Sequence, residues 1–435
     1  MSAEVVGLLG LGGLLLLLAL GIHIGIALAL VGMAGLCVLM SPAAAVVKVG
    51  VISFEVIGKY ELGVLPLFLL MAHLCFQAGA SRDFFDVAAR SIGHRRGGLA
   101  LASILGCAGF GSISGSSLAT VATISSVALP EMRKHGYSPA LATGALAAGG
   151  TLGALIPPSG ALIVYGIVAE QSIGKLFAAA VIPGLSQALF YLGTIFVLCR
   201  LNPALGPAIA RSSWSERAQA LRRVADVVVL VLAVVGGLIA GWFTPTEAAS
   251  VGSVGALALC AWRKQLSGLV LRRALAATLQ TTGMIYVVII GAMIFSVFVS
   301  ISDIASLMSD FVARMHAGPL TAVLVMALLL LLLGSFLDGL ALMLLATPIF
   351  LPIIVDMGLS PIWFGIFLVR AMEIGFVHPP LGLNVYVIHN LARDIPLGTM
   401  FRGIVPFLLT DLLHLTMLIV WPAVTLWLPD VMARA

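Results

Sequence analysis

Two clusters of small, oxygen-bearing residues interrupt long apolar runs. The first is Gly111-Ser112-Ile113-Ser114-Gly115-Ser116-Ser117 and the second is Gly334-Ser335-Phe336-Leu337-Asp338-Gly339. Hydroxyls, glycine carbonyls and a carboxylate are hard donors that suit Na+, and no thiolate or imidazole cluster suggests a transition metal. Close helix packing is the competing reason for a Gly-Ser cluster, since small residues let helices approach. Asp338 is the most informative acid. A lone anion in an apolar run is functional by default, as a cation ligand or proton carrier, and Asp also caps helices well.

A proline pair follows each cluster: Ile156-Pro157-Pro158-Ser159 and His378-Pro379-Pro380-Leu381, the latter with Asn384 close behind. Proline removes a backbone donor and clashes with the preceding turn, so each pair predicts a helix split in two. The new N-terminal end favours a carboxylate and the new C-terminal carbonyls favour Na+. The first candidate cation site is therefore Gly111, Ser112 and Ser114 to Ser117 with Pro157, Pro158 and Ser159. The second is Asp338 with Pro379, Pro380 and Asn384. Arg370 and Glu373 lie three apart, on one helical face. They are either a buried ion pair or an anion clamp, in which Arg370 grips a substrate carboxylate bidentately and Glu373 orients it. His378 either bonds substrate or caps freed carbonyls. Asp411 and His414, at the same spacing, read as a structural pair.

These residues sit in a chain of 435 residues that is 61% hydrophobic and 9% charged. Soluble chains carry about 25% charged residues. The expected class is an all-α polytopic membrane protein, without the short alternating segments of a β-barrel. The first 20 residues look like a signal peptide's core, but Met1–Val5 carries Glu4 and no basic residue, so a retained helix is expected. A net charge of +5 without a long basic run excludes nucleic acid as a partner. The five cysteines are scattered through apolar segments, which argues against disulfides and a CxxC metal site. There is no HExxH motif and no GxSxG motif with a dedicated base, so an enzyme is not expected.

The elements that must position the clusters follow from hydropathy and charge. Residues 5–40 predict two helices with a break at Gly21 and His23, the latter read as an interfacial or interhelical histidine. Residues 41–61, with balanced charges, predict an outside loop. Residues 62–80 cross inward, with His73 in a structural hydrogen bond, and Arg82–Arg96 is a cytoplasmic amphipathic segment. The arms around Gly111–Ser117 are roughly 14 residues, short of the roughly 20 that span a bilayer. Basic residues flank both sides: Arg90, His94, Arg95 and Arg96 before, Arg133, Lys134 and His135 after. If basic loops stay cytoplasmic, the chain dips in and returns, a re-entrant hairpin of the kind tolerated where it lines a cavity.

The second half repeats the first. At an offset of 222 residues, Leu129–Gly160 aligns with Leu351–Gly382, with ten identities in 32 positions. The expected plan is a first repeat over 1–199, with hairpin 97–130 and broken helix 139–168. A cytoplasmic basic arm covers 200–223. A second, inverted repeat covers 224–435, with hairpin 318–356 and broken helix 361–390. Two inverted repeats with broken helices describe a secondary transporter with its site at the midplane.

The chain resembles the large membrane subunit, DctM-like, of tripartite ATP-independent periplasmic (TRAP) transporters. The resemblance runs along nearly the whole chain. It is carried by Phe110-Gly-Ser-Ile-Ser-Gly-Ser-Ser117, Leu129-Pro-Glu-Met, Ile156-Pro-Pro-Ser159, Ile182-Pro-Gly184 and Thr244-Pro-Thr-Glu-Ala-Ala249. It continues through Phe336-Leu-Asp338, Thr347-Pro-Ile, Glu373-Ile-Gly375 and Pro379-Pro-Leu-Gly-Leu-Asn384. It implies an elevator-type fold in the bacterial inner membrane and Na+-coupled import of a small organic acid, with no cofactor besides Na+. It also implies a small four-helix membrane subunit and a periplasmic substrate-binding protein as partners, beside membrane lipid. A stand-alone Na+/anion symporter of related architecture is the alternative. Two departures stand out: Gly21-Ile-His-Ile-Gly25 replaces a Pro-containing turn, and His378 stands where Thr usually precedes the prolines.

Overall fold

The computed structural model describes residues 2–304 and 318–434, and the elements described are all helical. Helices α1 (Ala3–Ala19) and α2 (Ile24–Leu39) are separated at the expected break. The expected loop at 41–61 is instead mostly helix, α3 (Pro42–Gly58). Ser41 accepts from Ala44 N at 3.3 Å, and Pro42 occupies the first turn, where its missing N–H costs nothing. Ala45, Ile52 and Val56 form one buried stripe, and Lys48 and Glu55 lie two turns apart on another face. Balanced charge is as compatible with a helix as with a loop, which is why the sequence reading failed there.

Helix α4 (Val64–Gln77) leads to α5 (Ala80–Ile92), the amphipathic segment expected after it. Phe85 and Ala88 are buried on α5, while Arg90 pairs with Asp86 at 2.8 Å. Helices α6 (Gly98–Ser114) and α7 (Ser117–Lys134) pack together across a two-residue turn. Next come α8 (Pro139–Gly150) and the single turn α9 (Leu152–Leu155), then a break at 156–159 and α10 (Gly160–Val168). The two sides of that break meet at 43°.

Helix α11 (Ile173–Leu201) and α12 (Trp214–Ile239) enter the stretch expected to be an arm from both ends. A capping box at Ser213 and Glu216 starts α12. What remains non-helical crosses the base of the α6–α7 hairpin: Gly206 O accepts from Gly97 N at 2.8 Å, and Leu205 O from Ser138 N at 2.9 Å. Helix α13 (Pro245–Trp262) has a second capping box. Its Thr244 N–H donates to Glu247 Oε2 at 2.8 Å and holds that carboxyl below its ordinary range. Arg263, just past α13, reaches Asp83 at 2.6 Å and Asp226 at 2.5 Å, tying α5 to α12 and α13.

Helix α14 (Gly268–Ile301) precedes α15 (Pro319–Gly334) and α16 (Gly339–Asp356). The offset of 222 carries Ser117–Lys134 onto Gly339–Asp356 end to end. Helix α17 (Pro361–Gly375) breaks before α18 (Leu383–Leu391), and α19 (Leu397–Val420) and α20 (Ala423–Arg434) follow. Both proline pairs, Pro157-Pro158 and Pro379-Pro380, are joined by cis peptide bonds. Five of the described helices are long and apolar enough to cross a bilayer, whereas α6 and α15 are shorter.

Apolar burial falls into two clusters among the described residues. One gathers α5 to α8 and α19; the other joins α2, α4, α13 and α14 to α10, α16 and α17. Small residues bring each hairpin onto its broken helix. A Cβ on Gly111 would lie 2.8 Å from Gly153 Cα, and one on Gly375 would lie 2.5 Å from Gly334 O. Backbones touch there, so larger residues would force the tips off the breaks.

Candidate functional site

A cavity of about 410 Å³ opens where the first hairpin tip meets the first break. Its wall includes Ser114 to Ser117 from the tip, Pro158 and Gly160 from the break, and Asp338, Met372 and Glu373 from the second half. His23, Phe68 and Thr281 contribute from α2, α4 and α14. Residues far apart in sequence thus share one space, and most of the lining is aliphatic or aromatic.

The tip is built by a short hydrogen-bond relay. Helix α6 ends at Ser114, and Gly115 turns the chain in the left-handed region at φ +59°. A Cβ there would also sit 2.9 Å from Pro158 O, so the site demands glycine for conformation and for space. Gly115 O accepts from Gly160 N at 3.1 Å, which ties the tip to the start of α10. Ser116 caps α7 by accepting from Ala119 N at 3.4 Å. Ser114 Oγ lies 2.7 Å from Thr120 Oγ1, which donates to Ser116 O at 2.8 Å. Ser117 Oγ donates to Glu373 Oε2, joining hairpin α6–α7 to α17.

Glu373 is fully buried on the cavity wall, and its Oε1 has no hydrogen-bond partner among the described residues. Asp338 lies on the same wall, and its Oδ1 accepts from Ala341 N at 3.1 Å. The carboxylate therefore caps α16 on a residue that also lines the space.

Other expected site residues are placed elsewhere. Gly111 is spent on the contact with Gly153. Ser112 Oγ donates back to Gly109 O at 2.7 Å. Pro157 and Ser159 are buried, and Ser159 donates to Ala154 O while accepting from Leu162 N at 3.3 Å as the cap of α10. At the second break His378, Pro379 and Pro380 are exposed and stand off this cavity wall. Asn384 is buried and donates to Ala147 O at 3.0 Å, linking the second break to α8.

Arg370 and Glu373 do not pair. Arg370 is 1% exposed and meets Asp411, 0% exposed, at 2.5 Å. Asp411 Oδ1 also accepts from Tyr191 OH at 2.6 Å and Gln187 Nε2 at 2.9 Å. The expected Asp411–His414 pair is likewise replaced, since His414 Nε2 lies 2.9 Å from Ser186 Oγ. Spacing of three says which side chains share a face, but the helix across the interface decides which of them has a partner. Here α11 and α19 meet Arg370, whereas the hairpin tip meets Glu373. The sequence reading missed Tyr191 and Gln187, although their spacing of four on one apolar helix was a visible signal. It also missed Thr120, hidden in an ordinary amphipathic pattern, and the cavity position of His23.

The family described as "Tripartite ATP-independent periplasmic transporter, DctM component" matches residues 11–424. This chain belongs to that family. It is a large permease subunit of a TRAP transporter, a multi-pass protein of the inner membrane, and not an enzyme. The C4-dicarboxylate TRAP transporter large permease protein DctM of Pseudomonas aeruginosa is 37% identical over 380 residues, covering 87% of this chain and 88% of that one. The sialic acid TRAP transporter large permease protein SiaM of Vibrio cholerae is 32% identical over 377 residues, covering 86% and 87%. Among solved structures, the YdaH transporter of Alcanivorax borkumensis superposes with a TM-score of 0.58 at 15% identity, over 84% of this chain and 86% of that one. That likeness concerns the fold alone.

Proposed function

We propose that this DctM-family chain imports a small organic acid anion by Na+-coupled secondary transport, working with a small four-helix membrane subunit and a periplasmic substrate-binding protein. The observation that carries the reading is the convergence of Ser114 to Ser117, the Pro158 break, Asp338 and Glu373 on one cavity. In this reading the two halves are inverted repeats, the hairpins are re-entrant, and the hairpin helix starting at Ser117 presents its positive end to the anion. Oxygen donors of the tip, Asp338 and Glu373 take the Na+, and the hairpins with the broken helices move against the remaining helices. The names of the relatives make a C4-dicarboxylate and a sialic acid the first substrates to test.

Proteoliposomes test the assembly. This chain alone should take up neither succinate nor N-acetylneuraminate. Adding the small subunit and the binding protein should restore uptake of one of them, driven by an inward Na+ gradient. Robust uptake by the lone chain would favour the stand-alone symporter instead.

Na+ coupling makes a separate prediction. Ser114→Ala or Ser116→Ala should raise the Na+ concentration for half-maximal uptake about 2- to 10-fold, the equivalent of one lost oxygen contact of about 0.5–1.5 kcal/mol. Asp338→Asn should do the same or abolish uptake. Uptake driven by a proton gradient in Na+-free buffer would rule the assignment out.

A further inference from the structure

The cavity wall carries two carboxylates, Asp338 and Glu373, and neither lysine nor arginine among the residues that line it. Arg370 is not available, because its guanidinium is engaged with Asp411. His378 is exposed beyond the second break and off this wall. For an anionic substrate held as proposed at the start of α7, the one ring N–H donor among the lining residues is His23.

The His23 side chain has no hydrogen-bond partner among the described residues. His23 stands at the N-cap of α2 but makes no side-chain cap hydrogen bond. Two residues on, a Cβ at Gly25 would lie 2.8 Å from Val288 Cα, so α2 and α14 touch backbone to backbone. That contact holds the α1–α2 turn against the cavity. His23 is exposed there, in the same space as the Oε1 of buried Glu373, which has no partner among the described residues and accepts from a cation or a donor group of a guest. The helix pair α1–α2 contributes none of the hairpin or break residues, so His23 lines the cavity from a separate element.

We propose that His23 is a specificity-determining residue, donating its ring N–H to a second acceptor group on the substrate while the start of α7 holds the first carboxylate. This inference rests on the transport reading above, so its test has two arms that fail separately.

The first arm needs no substrate. In full-length chain reconstituted with its partners, a cysteine introduced by His23→Cys should react with a membrane-impermeant sulfonate thiol reagent applied to both sides. A cysteine introduced by Ile26→Cys, on the outward apolar face of α2 at 49% exposure, should not. Absence of labelling at position 23 overturns the proposal. The second arm is uptake of succinate and N-acetylneuraminate. His23→Leu should raise KM at least tenfold with the maximal rate within twofold, and His23→Asn, which keeps a side-chain N–H donor, should recover most of the loss. An unchanged KM in His23→Leu overturns the proposal. If the unmutated complex takes up neither probe, the transport reading fails by that result, and labelling alone decides whether His23 faces the cavity.

Discussion

Arg370→Met alone is expected to destabilise the chain by about 3–5 kcal/mol, because it strands a buried carboxylate. Asp411 is 0% exposed and its Oδ2 already lacks a partner, so no water can replace the guanidinium without opening the α11–α17–α19 contact. The double variant Arg370→Met with Asp411→Asn should recover most of that loss. The amide has nearly the carboxylate's shape, and its oxygen still accepts from Tyr191 and Gln187, while no charge remains buried. Thermal unfolding midpoints in detergent, with yield of folded chain, give the order: single variant lowest, double variant near the parent. Coupling between the two sites should exceed about 1 kcal/mol. A single variant as stable as the parent would show the pair to be dispensable. Removing Glu373 instead should rescue nothing, since it does not touch Arg370.

Glu373→Gln and Glu373→Ala are expected to lose more than 90% of uptake while folding normally. The reasoning separates charge from geometry. Ser117 Oγ donates to Glu373 Oε2, and Gln can still accept that bond, so the tie between hairpin and α17 survives in Glu373→Gln. What Gln lacks is the negative charge, which the proposed cation needs. A hydrogen bond to a charged group contributes about 1.5–3 kcal/mol, so losing Ser117 alone in Ser117→Ala should slow uptake roughly 10-fold or more. Folding should not suffer in Glu373→Gln, which removes a buried charge and keeps the bond from Ser117, whereas Ser117→Ala strands the carboxylate and should lower the unfolding midpoint. Initial rates of uptake by reconstituted complex, beside unfolding midpoints, check this. Full activity in Glu373→Gln together with a crippled Ser117→Ala would mean that the residue is a tether, leaving the cation to the tip and Asp338 alone.

Much of the architecture was legible because it rests on local rules. Pro157-Pro158 and Pro379-Pro380 interrupt apolar runs, and a helix cannot continue through a proline pair, so both breaks could be placed from sequence. Gly115 turns the first hairpin where a residue without a Cβ was needed, and Ser116 caps the helix after it, both readable as single-residue chemistry. The offset of 222 likewise survives in the ends of α7 and α16. Local rules failed where composition was ambivalent. The stretch that became α3 has the charge balance of a loop, and only its buried stripe of Ala45, Ile52 and Val56 reveals the helix.

By itself, then, the sequence determined the class, the family and the helix interruptions, because hydropathy, proline and glycine act within a few residues of where they stand. Tertiary structure alone decided the partners. Arg370 meets Asp411, 41 positions away, rather than Glu373 three positions away, and Ser117 reaches Glu373 across 256 positions. His23 enters the cavity through the backbone contact of α2 with α14, and the second proline pair is left outside it. The physical reason is common to all of these. Helical periodicity states which way a side chain faces, but a buried polar group is satisfied by whatever helix is packed against that face, and packing is a property of the whole chain.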